Sequence, residues 1–297
     1  MRYRAISVFL LLLLASAWPA AAQVNDWPRR VVITNDDGID DDGINALAKA
    51  FASEAETFVV APMENRSGST NYVSAIATRS LTVERRDLGP GITAYAVDGY
   101  PADAVVFALA GLLAADPPDL VISGINNGPN LSDDAYLSGT VGAARMAAFA
   151  GIPAIAVSGH NNEPETLAAI ARWVIDLAGT SLVRDLEPRQ YLTVSVPQVS
   201  LTEIAGVEIV RRGPWPYSVA LEPDDQLPAD QPGREVWRLT FSLRPVTSPP
   251  GTDTYTFGQN RIAIVPMRVD EHDYGLLERL LASDTDLPAW PPPDERR

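Results

Sequence analysis

"VVITNDDGIDDDGINALAKAF", Val31 to Phe51, decides how the rest of the chain is read. "VVIT" is a short apolar, β-branched run of the kind that forms a buried strand. Asp36, Asp37 and the turn-forming Gly38 follow it directly. In "GINALAKAFAS", Ile44, Leu47, Ala48 and Phe51 then share one helical face. A strand apolar on both faces and followed by a helix is the opening half of a parallel crossover unit.

The pattern recurs downstream. "TFVVAP", "TAYAVDG", "DLVISGI" and "IPAIAVSG" read as further strands, with the helical segments "ADAVVFALAGLLA" and "VGAARMAAFA" among them. Together they predict an α/β fold, a doubly wound and mostly parallel sheet covered by helices, over about residues 30–180. Beyond Arg172 the segments "YLTVSVP", "EIVRRG", "VWRLTFSL" and "RIAIVPMRV" read as strands without long helices between them. Proline-rich turns such as "GPWPYSVALEPDDQLPADQPG" separate them. They predict a β-rich C-terminal lobe or set of arms over about 190–270, suited to oligomerisation, followed by a helix from Tyr274 to Ser283.

The ends of the chain carry their own signals. Arg2 and Arg4, an apolar run from Ala5 to Ala15, and Ala20 with Ala22 read as a secretory signal peptide over 1–22, cut between Ala22 and Gln23. The apolar run falls short of the roughly 20 residues that a spanning helix needs. The expectation is a periplasmic or secreted protein with one folded unit over 23–285 and a proline-rich tail over 286–297. Removing the signal takes 297 residues to 275 and the formal charge from -15 to -17. Such a surface repels duplex nucleic acid and anionic membranes. It still admits a small phosphorylated substrate where a bound cation inverts the local field. With no cysteine there is no disulfide framework and no thiolate chemistry. Lys49 is the sole lysine and no "GKS" or "GKT" occurs, which excludes a Walker-type phosphate loop. Neither a G-x-S-x-G elbow nor an H-E-x-x-H helix is present.

Three loops at predicted strand ends carry candidate chemistry, where ligands of open parallel sheets bind. In the first, Asp36 and Asp37 converge only if the strand has ended, because neighbours in a strand face opposite ways. Two close carboxylates repel unless a proton or a cation lies between them. A hard divalent ion resolves this with oxygen ligands; helix capping by one of the aspartates is the competing explanation. The second loop, "NRSGSTN", offers Ser67 beside Gly68, or is an ordinary polar turn. The third, "SGINNGPN", offers Asn126 and Asn130 and leads to "SGT", Ser138 to Thr140, at a helix start. Helix N-termini suit phosphate, and Ser138 or Thr140 also suits a plain N-cap.

The ordered set "ITNDDG", "VVAPMENRSGS", "GYPADAV", "PDLVISGINNGPN", "LSGTVGAA" and "GIPAIAVS" resembles the SurE family of survival proteins, which are metal-dependent 5′/3′-nucleotidases. "RIAIVPMRVD", Arg261 to Asp270, resembles it more loosely. The resemblance implies one divalent metal, Mn²⁺ or Mg²⁺, on Asp36, Asp37, Ser67 and Asn126. It implies phosphate contacts from Asn35, Asn130, Ser138, Gly139 and Thr140. Asp36 is read as the group that orients or deprotonates the attacking water, and a direct aspartyl-phosphate route stays open beside it. The resemblance further implies a nucleoside monophosphate substrate and a homodimer or larger homo-oligomer. The chain departs from the family pattern at Asp41–Asp42, Tyr100, Ala104, Leu137 and Arg145–Met146, with the family's glutamate absent at Met146. A rival phosphatase class with acids at i and i+2 and a later lysine fits poorly. An exported nucleotide- or phosphate-binding protein without turnover is the alternative reading. His160, in a loop, and His272, in "VDEHD", are read as a surface residue and a helix-cap residue.

Overall fold

In the first crossover unit, β1 (Arg30–Thr34) carries Val31, Val32 and Ile33 fully buried. Helix α1 (Asp42–Phe51) buries Ile44, Leu47, Ala48 and Phe51 on one side. Its N-cap is Asp41, whose carboxylate accepts the Gly43 N–H at 2.7 Å and the Ile44 N–H at 3.4 Å. The cap is therefore neither Asp36 nor Asp37, and both remain available for other work. These features are seen in a computed structural model that describes residues 27–159, 163–224, 233–243, 247–270 and 273–282. The expected signal peptide, its cleavage point, the C-terminal tail, His160 and His272 lie outside the described residues.

The chain continues through β2 (Glu56–Pro62), α2 (Ala75–Thr78), β3 (Thr82–Arg86), β4 (Ile92–Asp98) and α3 (Pro101–Phe107), which a π-turn prolongs over Ala108–Leu112. Then come β5 (Leu120–Asn126), α4 (Asp134–Leu137), α5 (Gly139–Phe149), β6 (Ala154–Ser158), α6 (Pro164–Ala178), α7 (Ser181–Arg184) and β7 (Gln190–Ser195). The remaining elements are β8 (Val207–Ile209), β9 (Tyr217–Pro223), β10 (Trp237–Leu243), α8 (Asp253–Gly258), β11 (Ile262–Arg268) and α9 (Tyr274–Leu281).

Among the described residues, nine strands form one sheet in the order β3-β4-β2-β1-β5-β6-β7-β11-β8. Its pairings are parallel except β3 with β4 and β7 with β11. Helices cover both faces, as continuous apolar strands require. Val31 and Ile33 join a core with Ile44, Leu47 and Phe51 of α1 and Leu167, Ile170 and Val174 of α6. Val32 and Val60 look the other way, onto Ala104 and Val105 of α3 and Val141, Ala144 and Ala147 of α5. The fold is thus a doubly wound α/β sheet. From β1 the order runs one way through β2 to β4, and from β5 the other way through β6 to β7. The reversal between β1 and β5 is a topological switch point, where the crevice beyond the strand ends receives ligands.

The C-terminal strands are present, and their division is finer than the sequence suggested. "YLTVSVP", "EIVRRG" and "RIAIVPMRV" supply β7, β8 and β11 to the main sheet. Among the described residues, only β9 and β10 stand apart, as a two-stranded antiparallel ribbon. Strand β9 lies inside the segment read as proline-rich turns, because "YSVALEP" pairs residue for residue with β10 and Pro223 closes it. Strand β3, helix α6 and the short helices α2, α4, α7 and α8 were not anticipated. No helix among the described residues is long and apolar enough to cross a membrane.

Candidate active site

The loop after β1 is shaped by a clasp. The Asn35 side chain donates to the Gly38 carbonyl at 2.8 Å and accepts the Gly38 N–H at 3.2 Å. Gly38 has φ of +109°, a region that side chains rarely adopt. Because β1 has ended at Thr34, Asp36 and Asp37 both sit in this turn, close enough for their charges to act on each other. The Arg66 N–H donates to the Asp36 carbonyl at 2.6 Å, bringing the second loop alongside.

Asp36 is only 3% exposed. Its carboxylate accepts the Thr140 hydroxyl, with the Gly139 and Thr140 amides adding to the hold. Burial pushes its pKa up, and those hydrogen bonds pull it back. Asp37 accepts the Asn65 side chain at 3.0 Å and the Asn127 N–H at 3.3 Å. Burial first, and then the charges of Asp36 and Asp41, push it up to about 6. Both carboxylates are therefore held where ionisation is unfavourable without a counter-charge.

A cavity of about 240 Å³ opens at this point. Its lining includes Asp36, Ser67, Asn126, Asn127, Asn130 and Ser138, from all three loops. Asp37 stands beside it through Asn127. Asn35, Gly139 and Thr140 lie outside that lining: Asn35 is spent on its own turn, while Gly139 and Thr140 grip Asp36 from behind. Asn130 donates to the Ser158 hydroxyl at 2.7 Å, and Asn126 to the Gly128 carbonyl at 2.9 Å. Ser138 caps α5 by accepting the Val141 N–H at 3.1 Å, which leaves its own proton free to donate. A larger cavity, about 520 Å³, is lined by Trp27, Arg29, Phe51 and Ile175, near the start of β1. Glu54, Asp176 and Thr180 also line it, but it lies at the wrong end of the strands for a switch-point ligand.

A family model described as survival protein SurE matches residues 31–219. The chain belongs to the SurE family. A 5′-nucleotidase SurE of Vibrio parahaemolyticus is 36% identical over 253 residues, covering 83% of this chain and 91% of the relative. One of Desulfatibacillum aliphaticivorans is 37% identical over 254 residues, covering 84% and 96%. The crystal structure of the SurE protein from Aquifex aeolicus aligns with a TM-score of 0.70 at 30% identity, over 86% of this chain and 100% of that one.

Several departures from the usual SurE pattern have structural partners. Asp41 supplies the α1 cap. Tyr100 packs edge-on against Tyr72 at 4.8 Å and beneath the Arg66 guanidinium at 5.4 Å. Arg145 donates to the Tyr191 hydroxyl at 3.1 Å and to the Asn71 side chain and Ala135 carbonyl at 2.8 Å each. Sequence reasoning missed Ser69, whose buried hydroxyl has no hydrogen-bond partner. A Cβ built on Gly139 would lie 2.8 Å from that hydroxyl and 2.7 Å from Asp36 Cβ. The signal available was its place two residues after Ser67 in one glycine-bearing turn of this SurE-family chain.

The second loop is seated just as tightly on α5. A Cβ on Gly142 would lie 2.0 Å from the Thr70 carbonyl oxygen, backbone against helix. Gly142→Ala is therefore expected to lower stability by about 1–3 kcal/mol through overpacking. Urea unfolding reads this directly; an unchanged midpoint would show that the contact yields freely.

Proposed function

We propose that this chain is a metal-dependent phosphomonoesterase that hydrolyses nucleoside monophosphates to nucleoside and phosphate. The carrying observation is the meeting of Asp36, Ser67, Asn126, Asn130 and Ser138 around one cavity at the β1/β5 switch point. The nucleotidase names of its SurE relatives support the substrate class. The donor set fits a hard divalent ion: two carboxylates that repel each other, neutral oxygens beside them, and the unpartnered Ser69 hydroxyl close by. Among the described residues no group of three or more His, Asp or Glu gathers as an alternative cage.

Asp36, Asp37, Ser67 and Asn126 would hold the ion, Mn²⁺ or Mg²⁺. When bound, it supplies charge neutralisation of the phosphoryl oxygens. The chain's own groups do the rest. Asp36, fixed by Thr140 and the start of α5, orients the attacking water and takes its proton. As the water oxygen bonds to phosphorus, the P–O bond to the nucleoside breaks. The leaving oxygen takes a proton from solvent, and Asp36 returns to solvent the proton it took from the attacking water. The free Ser138 proton and the second N–H of Asn130 donate to the equatorial oxygens. Ser158 behind Asn130 keeps that amide in position.

The same reading includes both 5′ and 3′ esters, export directed by residues 1–22, and a homodimer or larger homo-oligomer. The isolated β9–β10 ribbon supports assembly: Leu221, Trp237 and Leu239 are exposed on it, with Leu239 directly opposite Leu221. The test is phosphate release from AMP by chelator-stripped protein with and without added Mn²⁺. Metal-dependent release is expected; binding of AMP without release would favour the nucleotide-binding alternative.

A further inference from the structure

The cavity lining is not all polar. Leu137, at the end of α4, and Phe241, on β10, line the same cavity as Asp36 and Asn130. They are 49% and 54% exposed, so each presents open apolar surface. The charged neighbour on this part of the lining is Asp134, and one of its carboxylate oxygens already accepts the Trp215 indole N–H at 2.7 Å. A phosphomonoester has an anionic end and an organic remainder. The converging oxygens and hydroxyls suit the first, and an aliphatic and an aromatic side chain in the same cavity suit a flat, weakly polar ring. Phe241 reaches the cavity lining from the β9–β10 ribbon, which among the described residues pairs with no other strand, so it lines the site from outside the core.

We propose that Phe241 and Leu137 form the subsite for the nucleobase, with Phe241 stacking on the ring. This rests on the nucleotidase reading above and adds the residues that recognise the leaving group. Stacking of a base on an aromatic side chain contributes enough for roughly a tenfold loss of affinity on truncation. Such stacking tolerates any base, so the subsite distinguishes nucleotides from sugar phosphates more than one base from another.

The test compares AMP with ribose 5-phosphate, which lacks the base, on wild type, Phe241→Ala and Phe241→Trp. Where phosphate is released, kcat/KM is the readout; a chain that binds without turnover is read by calorimetry of the same two esters. Phe241→Ala is expected to lower the value for AMP about tenfold. Ribose 5-phosphate should keep its wild-type value, and Phe241→Trp should restore AMP. Unchanged AMP would overturn the subsite. A parallel fall for both esters would overturn it too, assigning Phe241 to ribbon packing or to contact with a second copy. Absence of phosphate release from either ester by wild type would refute the hydrolase reading while leaving the binding comparison decisive for the subsite.

Discussion

Replacing Asp36 by asparagine is expected to lower kcat/KM for AMP by roughly 1,000-fold or more, the equivalent of several kcal/mol of transition-state stabilisation. The residue sits where three requirements meet. It lines the cavity, it is one of the two carboxylates whose charges need a counter-ion, and it is fixed by Thr140 and the first amides of α5. Asparagine keeps the shape and removes the charge. Stability should change by less than about 1 kcal/mol, because relief of a desolvated charge offsets weaker hydrogen bonds to the same donors. Steady-state phosphate release and urea unfolding on the same preparation separate the two effects. Wild-type turnover in the variant would remove Asp36 from the chemistry, and loss of both activity and fold would make it a structural residue.

Replacing Asp103 by alanine should produce the largest loss of stability, at least about 3 kcal/mol. Asp103 is fully buried. It accepts the Ser74 N–H at 3.1 Å, the Ser74 hydroxyl at 2.8 Å, and the Ala75 and Tyr100 N–H groups at 3.0 Å each. Alanine leaves four donors without an acceptor, each costing about 1–3 kcal/mol before relaxation. Three of the four belong to the segment that runs on from Ser67 and Ser69, so this carboxylate ties the second site loop to the start of α3. The variant should unfold at lower urea and be cut by protease within residues 63–80 before the rest of the chain. A loss under about 1 kcal/mol would show that water replaces Asp103 at little cost.

How far the sequence could be read follows from where each signal lies. Local patterns were sufficient for β1, β2, β4, β5 and β6, whose apolar runs are short and continuous and end in turn residues. They were also sufficient for Asp36 and Asp37, since adjacent acids after such a run are conspicuous by themselves. Sheet membership was not legible for β7, β8 and β11. An apolar run such as "YLTVSVP" states that a strand is buried, not which neighbour it pairs with. Helix α6 did carry a local signal, with Leu167, Ile170, Ala171 and Val174 at helical spacing after Pro164, and it went unread. The supporting aspartates were out of reach for another reason. Asp103 and Asp253 act on donors distant in sequence: Asp253 accepts the N–H groups of Ser132 and Gly213 at 2.7 Å each, pinning the third loop from the far part of the chain. Phe241 belongs with them, since nothing in "RLTFSL" indicates that the ribbon returns to the β1/β5 crevice. Asn35, Gly139 and Thr140 show the converse. Their positions were marked, and only the fold shows Asn35 closing its own turn and Gly139 and Thr140 holding Asp36, all three outside the cavity lining.

The account stands on oxygens of Asp36, Asp37, Ser67 and Asn126 sharing a divalent cation. Calorimetric titration of Mn²⁺ into the chelator-stripped chain tests this most directly, with the Asp36→Asn/Asp37→Asn double variant alongside. One ion bound per chain, and none in the double variant, is the predicted result. Failure of the wild-type chain to bind Mn²⁺, or equal binding by both proteins, would contradict it.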